Sequence, residues 1–95
     1  VKYSENIEDD LKRRDFTMNS LAYNPNTKDI IDLYKGQNDI KDRVVRAVGN
    51  ASDRFNEDAL RMLRAIRFST QLGFAIDYET MEAIAKNADL IKNIS

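Results

Sequence analysis

Between Gly49 and Gly73 the chain carries neither glycine nor proline, and its apolar residues recur three and four positions apart. That run predicts one helix, capped by Asn50 or Ser52, continuing through about Leu72 and stopped by Gly73. At about 100° per residue, Phe55, Ala59, Met62, Leu63, Ile66 and Thr70 share one side and read as core. Glu57, Asp58, Arg61, Arg64, Arg67 and Gln71 share the other. Leu60, Ala65, Phe68 and Leu72 project among these charges, so the charged side is expected to line a groove or pack against another segment.

The rest of the chain is cut up by turn signals. Ile7 and Leu11, four apart behind Ser4 as a cap, predict a short first helix. Asp15 can cap a second, to which Phe16, Met18 and Leu21 contribute, with Arg13 and Arg14 exposed at the bend between the two. Asn24-Pro25-Asn26-Thr27 between two apolar runs reads as the polar tip of a β-hairpin whose better strand is Asp29 to Leu33. Gly36 breaks the pattern, Gln37 to Arg43 reads as a helical turn, and Val44 to Val48 as a short strand ended by Gly49-Asn50. Beyond Gly73, Asp77 with Thr80 three residues on starts a last helix carrying Met81, Ile84, Ala85 and Leu90. The fold class is α+β and predominantly helical, with a mixed first part and a helical second part.

Ninety-five residues make one small domain or a piece of a larger one, short of the size at which most enzymes close a site unaided. The first ten residues read as mid-domain sequence, so an upstream portion is expected. Fifteen Lys+Arg against sixteen Asp+Glu leave a formal charge of -1, so any case for nucleic acid must be local. The absence of cysteine and histidine excludes disulfides, thiolate or imidazole metal sites and the commonest general base. There is no signal-peptide grammar and no apolar run of membrane-spanning length, so the chain reads as cytoplasmic.

On the long helix alone, Glu57 with Arg61 and Asp58 with Arg61 can be read as surface ion pairs, each contributing about 0.2–0.5 kcal/mol. A second reading uses donor and acceptor geometry. Adenine and cytosine both present an exocyclic amine beside a ring-nitrogen acceptor, whereas guanine and uracil present a carbonyl beside a ring N–H. A carboxylate one helical turn from a guanidinium offers acceptor then donor, which matches the first two bases and mismatches the others. Asp58 with Arg61 would then select ATP and CTP, because a wrong base leaves buried polar groups unpaired.

Three blocks carry a resemblance: RRDFTMNSLAY at Arg13 to Tyr23, DLYKGQNDI at Asp32 to Ile40, and RFNEDALRMLRAIRFSTQLGF at Arg54 to Phe74. In this order and spacing they strongly resemble the bacterial-type tRNA nucleotidyltransferase (CCA-adding) and poly(A) polymerase family, over about Asp10 to Ile84. The resemblance implies that residues 1–50 are the C-terminal part of a nucleotidyltransferase head and 51–95 a truncated helical neck. It implies that Arg14 and Asp15 contact the ribose 2′-hydroxyl, with Arg13 and Asn19 supporting the triphosphate or the local structure. Asp32 and Gly36 match a flexible joint in which glycine supplies unusual backbone angles, although Leu33-Tyr34-Lys35 departs from the family pattern there. Asp58 and Arg61 match the pair that reads CTP and ATP, Glu57 orients them, and Arg64 is a further nucleotide contact. Arg67 is left as structural or RNA-facing, and Phe16 and Phe68 as core.

The family's glycine-rich segment and D-x-D metal carboxylates lie upstream of the first block and do not occur in this sequence. Glu8 and Asp10 have the D-x-D spacing but read as solvated acids, so no catalytic or metal-binding residue is assigned within the chain. The implied parent transfers CMP or AMP from CTP or ATP to a tRNA 3′ end or other RNA. Its Mg²⁺ is held outside the chain, and a head segment upstream and a body or tail downstream are missing partners. The chain alone is expected to be catalytically silent. Two other classes stay open: a non-enzymatic nucleotide- or RNA-binding module, and a helical domain using its charged face for protein contact.

Overall fold

The computed structural model describes residues 3–93, with side chains from 7 to 92. Its centre is the extended segment 44–47, which is paired along both edges. On one edge Thr17 N donates to Arg46 O at 2.9 Å and Val48 N to Asp15 O at 3.0 Å, around an antiparallel bridge between Phe16 and Ala47. On the other, β3 (Val44–Val45) pairs in parallel with β4 (Ala75–Ile76), Val44 opposite Ala75 and Val45 opposite Ile76. β-Branched valines suit this buried position, since Val45 is fully enclosed and Val48 nearly so.

Around this spine lie α1 (Tyr3–Lys12), α2 (Gly36–Asp42), α3 (Ala51–Glu57), α4 (Leu60–Leu72) and α5 (Tyr78–Asn87). A hairpin of β1 (Leu21–Asn24) and β2 (Asp29–Asp32) projects from the mixed part, in the expected place, with Leu21 opposite Asp32 and Asn24 opposite Asp29. Phe16, Val45 and Ala47 share one core with Phe55, Met62, Ala65, Ala83 and Ile84, so the two halves of the sequence enclose a common apolar interior. The fold is α+β and mostly helical, as the sequence indicates.

Local chemistry sets several boundaries. Asn50 caps α3 by accepting from Asp53 N, Gly73 ends α4 in the left-handed region at φ 69°, and Asp77 caps α5 by accepting from Thr80 N. Other expectations are corrected. α1 already includes Ser4, so the cap expected there sits inside the helix, and its side chain lies outside the described ones. Asp15 starts no second helix: Phe16 is extended at φ −126°, ψ 152° because it pairs with Ala47, and only a 3₁₀ turn, Thr17–Asn19, follows. Tertiary pairing here outweighs the local cap signal.

The long helix is two helices. Asp58 is extended at φ −154°, ψ 101°, and its Oδ1 accepts from Leu60 N at 3.1 Å, so a side chain of the cap-forming type starts α4. The interruption resets the helical phase. Met62 and Ala65 are fully buried, with Phe68 and Ser69 partly so, while Leu63, Ile66 and Thr70, expected in the core, face outward. Likewise α5 buries Thr80, Ala83 and Ile84 and leaves Met81 and Ala85 exposed.

Gly36 also differs in its reason. The left-handed residue is Lys35, at φ 58°. A Cβ on Gly36 would stand 2.1 Å from Thr17 O and 2.9 Å from Thr17 C, so the glycine is required by close approach of two backbones. Asp32 supplies acceptors to the start of α2 from three residues before its Lys35 N-cap, with Oδ1 accepting from Gly36 N at 2.6 Å and Oδ2 from Gln37 N at 3.0 Å.

Candidate functional site

The exit of α1 supplies one wall of a cleft. Arg13 N and Arg14 N close the last turn onto Asp10 O and Leu11 O at 3.2 Å, which leaves both side chains outside the helix and exposed, as the predicted bend requires. Arg14 is fixed rather than loose, since Nη2 donates to Asp10 Oδ2 at 2.8 Å and Nη1 to Asn19 O at 3.0 Å. Asp15 is only 6% exposed. Its Oδ1 accepts from Phe16 N at 2.8 Å and Asn19 Nδ2 at 3.3 Å. Its Oδ2 lies 2.8 Å from Arg64 Nη2 at angles outside hydrogen-bond geometry, so its charge is compensated while its lone pairs accept no hydrogen bond among the described residues.

The α3–α4 break supplies the opposite wall. Arg61 Nη1 donates to Glu57 Oε2 at 2.9 Å and Arg54 O at 3.2 Å, and its Nη2 donates to Arg13 O at 3.2 Å. One guanidinium therefore ties the end of α3 to the exit of α1, and its Nε and one Nη2 hydrogen stay unspent among the described residues. The expected Glu57–Arg61 pair is present. Asp58 forms no ion pair among the described residues, and its carboxylate keeps one oxygen free after capping Leu60. Arg64 rests over Phe68 at 6.0 Å from the ring centre, and Phe68 meets Phe16 edge-on at 5.8 Å, so both phenylalanines pack beneath the site.

Arg13, Arg14, Asp15, Asn19, Asp58, Arg61 and Arg64 together line a cleft of about 410 Å³. Four guanidinium groups face two carboxylates there, an anion-attracting balance in a chain of formal charge -1. Glu57 is not among the lining residues and reaches the cleft only through Arg61, and Asp32 and Gly36 do not line it. Sequence reasoning passed over Arg54, whose Nη1 donates to both oxygens of Glu57 at 3.0 and 3.3 Å. The signal available for it was its spacing, three residues before Glu57 and seven before Arg61.

A second hollow, about 390 Å³, lies between the start of α3 and α5, lined by Asn50, Ala51, Ser52, Glu79, Glu82, Ala83 and Lys86. Its two carboxylates against one ammonium give no donor cluster for an anion, and the arginine-lined cleft is the better candidate. Among the described residues no three carboxylates approach closely enough to hold a metal ion, and Asp10 is engaged by Arg14. These residues do not fit Mg²⁺.

Comparison with known proteins identifies the family. A family model described as the poly A polymerase head domain matches residues 1–46, and one described as a probable RNA- and SrmB-binding site of polymerase A matches 73–95. A CCA-adding enzyme of Lactobacillus delbrueckii subsp. bulgaricus is 53% identical over all of this chain, and one of Bacillus subtilis 50%. In each case the chain spans 24% of the relative's length. The crystal structure of a Bacillus stearothermophilus CCA-adding enzyme in complex with CTP superposes with a TM-score of 0.89 at 52% identity, covering 94% of this chain and 22% of that one. A tRNA nucleotidyltransferase complexed with a primer tRNA and an incoming ATP analog superposes at 0.81 and 36%, over 88% and 25%. With its sequence matched end to end by such relatives and its fold by their solved structures, the chain belongs to the bacterial-type tRNA nucleotidyltransferase and poly(A) polymerase family.

Proposed function

We propose that the protein containing this chain adds CMP and AMP from CTP and ATP to tRNA 3′ ends, and that this chain supplies the ribose and base contacts. The observation that carries the reading is the single cleft into which Arg13, Arg14, Asp15 and Asn19 converge with Asp58, Arg61 and Arg64 from a distant stretch of sequence. Its chemistry suits a nucleotide in three ways. The arginines attract and fork onto phosphate oxygens. The Oδ2 of Asp15, buried against Arg64 and accepting no hydrogen bond among the described residues, can accept from a ribose hydroxyl beside the fixed Arg14 once the Arg64 side chain shifts. The free oxygen of Asp58 and the unspent N–H groups of Arg61 offer the acceptor and donor that adenine and cytosine both require. The names of relatives solved with CTP and with an ATP analog support the same substrates.

The test is equilibrium binding of ATP, CTP, GTP, UTP and dATP to the chain, with Asp58→Ala and Arg61→Ala beside it. ATP and CTP are expected to bind more tightly than GTP and UTP, and dATP more weakly than ATP. Each substitution should level the preference by about tenfold or more, the scale set by leaving polar groups unpaired. An unaltered preference in both variants would reject the base-reading assignment. The chain by itself is expected to bind without transferring, so incorporation of labelled ATP into tRNA by the chain alone would overturn the view that the transfer machinery lies elsewhere.

A further inference from the structure

We infer that Arg54 is a positioning residue that sets base selectivity by holding Arg61 in place through Glu57. The inference rests on the base-reading role proposed for Arg61. Arg54 reaches Arg61 by two routes: its carbonyl oxygen accepts directly from Arg61 Nη1 at 3.2 Å, and its own Nη1 donates to Glu57 at 3.0 Å, whose Oε2 accepts from Arg61 at 2.9 Å. The Arg54 side chain is 16% exposed, whereas Glu57 is 52% exposed. An exposed glutamate beside Arg61 alone would be free to swing into water; the partly buried Arg54 guanidinium bound to it fixes where its carboxylate stands.

The arrangement is costly for the fold, which argues that it serves something else. Arg54 Nε is buried with no acceptor among the described residues, and an unpaired buried donor is a penalty that an apolar side chain of the same length would avoid. What Arg54 provides in return is order. A guanidinium held on Glu57, the Arg54 carbonyl and the Arg13 carbonyl keeps Nε and one Nη2 hydrogen aimed before a base arrives, so little rotamer freedom is lost on binding.

The experiment is the ratio of affinities for ATP and CTP over GTP and UTP, measured with the chain carrying Arg54→Met, Glu57→Gln, both together, and Arg54→Lys. Inorganic triphosphate serves as a probe that does not contact Arg61 through a base. Arg54→Met is expected to lower the ratio by about tenfold, the scale of one long side chain left unordered, with triphosphate affinity unchanged. Arg54→Lys, which keeps the charge on Glu57, should restore part of it. Glu57→Gln weakens the same link from the exposed side, so it should lower the ratio without threatening the core, and the double variant should do no more than Arg54→Met alone. A ratio unchanged in Arg54→Met, or strictly additive losses in the double variant, overturns the inference. So does an unchanged ratio in Glu57→Gln, a measurement that stands even if Arg54→Met does not fold. If the unsubstituted chain shows no preference among bases, the base-reading role itself falls and this inference with it; if it discriminates and the variants discriminate equally, the Arg54 inference alone falls.

Discussion

Replacing Gly36 with alanine separates two explanations of that glycine, and the structure gives the size of the effect. The added Cβ would stand 2.1 Å from Thr17 O, more than an ångström inside ordinary contact, and 3.2 Å from Leu21 Cδ2. The leucine can turn away, but the carbonyl cannot. Thr17 O accepts from Ser20 N at 3.0 Å, Thr17 N donates to Arg46 O at 2.9 Å, and the Thr17 hydroxyl donates to the buried Asp39. Relief therefore requires moving α2 off the 3₁₀ turn and loosening at least one of these bonds. Overpacking of about 1–3 kcal/mol and a lost hydrogen bond or two at about 1 kcal/mol each give about 2–5 kcal/mol. For a chain this size that is a fall in Tm of about 10–25 °C, read by thermal unfolding followed by circular dichroism. Gly49 and Gly73 are internal controls: both have φ near 70° and nothing within 4 Å of an added Cβ. Alanine there meets the left-handed penalty of about 1–2 kcal/mol, partly offset by a stiffer unfolded chain, for a net of about 1 kcal/mol. If Gly36→Ala melts within a few degrees of the unsubstituted chain, or no lower than Gly49→Ala and Gly73→Ala, the close-approach argument is wrong.

Two further outcomes follow from charges that span elements. Arg64→Ala leaves the Asp15 carboxylate, 5% exposed, without its cation; because Arg64 itself is half-exposed, the full buried-pair penalty is discounted to about 1–2 kcal/mol, and Asp15→Asn in the same chain should recover most of it in urea titration. Asp77→Ala removes both the α5 cap and the 2.7 Å pair with Arg46, whose guanidinium pKa is raised chiefly by its hydrogen bond to Asp39. It should therefore lower the urea midpoint more than Asn50→Ala, which removes a cap alone at about 1 kcal/mol, and equal shifts would show that the Arg46 bridge contributes nothing.

What the sequence disclosed tracks the range of the interactions responsible. Asn50, Gly73 and Asp77 end or begin helices through bonds to residues within a few positions, and the hairpin tip after Asn24 is set by its own turn residues, so each was legible locally. Phe16 is extended because Ala47 pairs with it, and Val44 lies beside Ala75; neither partner can be seen from the neighbouring residues. The break at Asp58 is the instructive case. Aspartate is a strong helix starter, so a local signal was present, but the apolar period on either side is regular enough to be read straight through. One extended residue then turned α4 so that Leu63 and Ile66 point outward. Asp58 and Arg61 were legible from donor and acceptor spacing on one predicted helix and the other site residues through the family blocks, while Arg54, matched to no role there, came only from its contacts.

The cleft also explains why composition gave no hint of an anion site. A formal charge of -1 describes the sum over the whole chain, whereas a ligand in the cleft meets the particular donors and acceptors that line it. Three of the four cleft arginines are each bound by an acid: Arg14 by Asp10, Arg61 by Glu57 and Arg64 by Asp15. Asp10 and Glu57 are not among the residues that line the cleft. They cancel charge in the total without lining the cleft, and each fixes a guanidinium that keeps other N–H groups beyond those bound to the acid. Near-neutral composition and a cationic cleft are thus two results of one arrangement, because the acids that neutralise these arginines are also the groups that aim them.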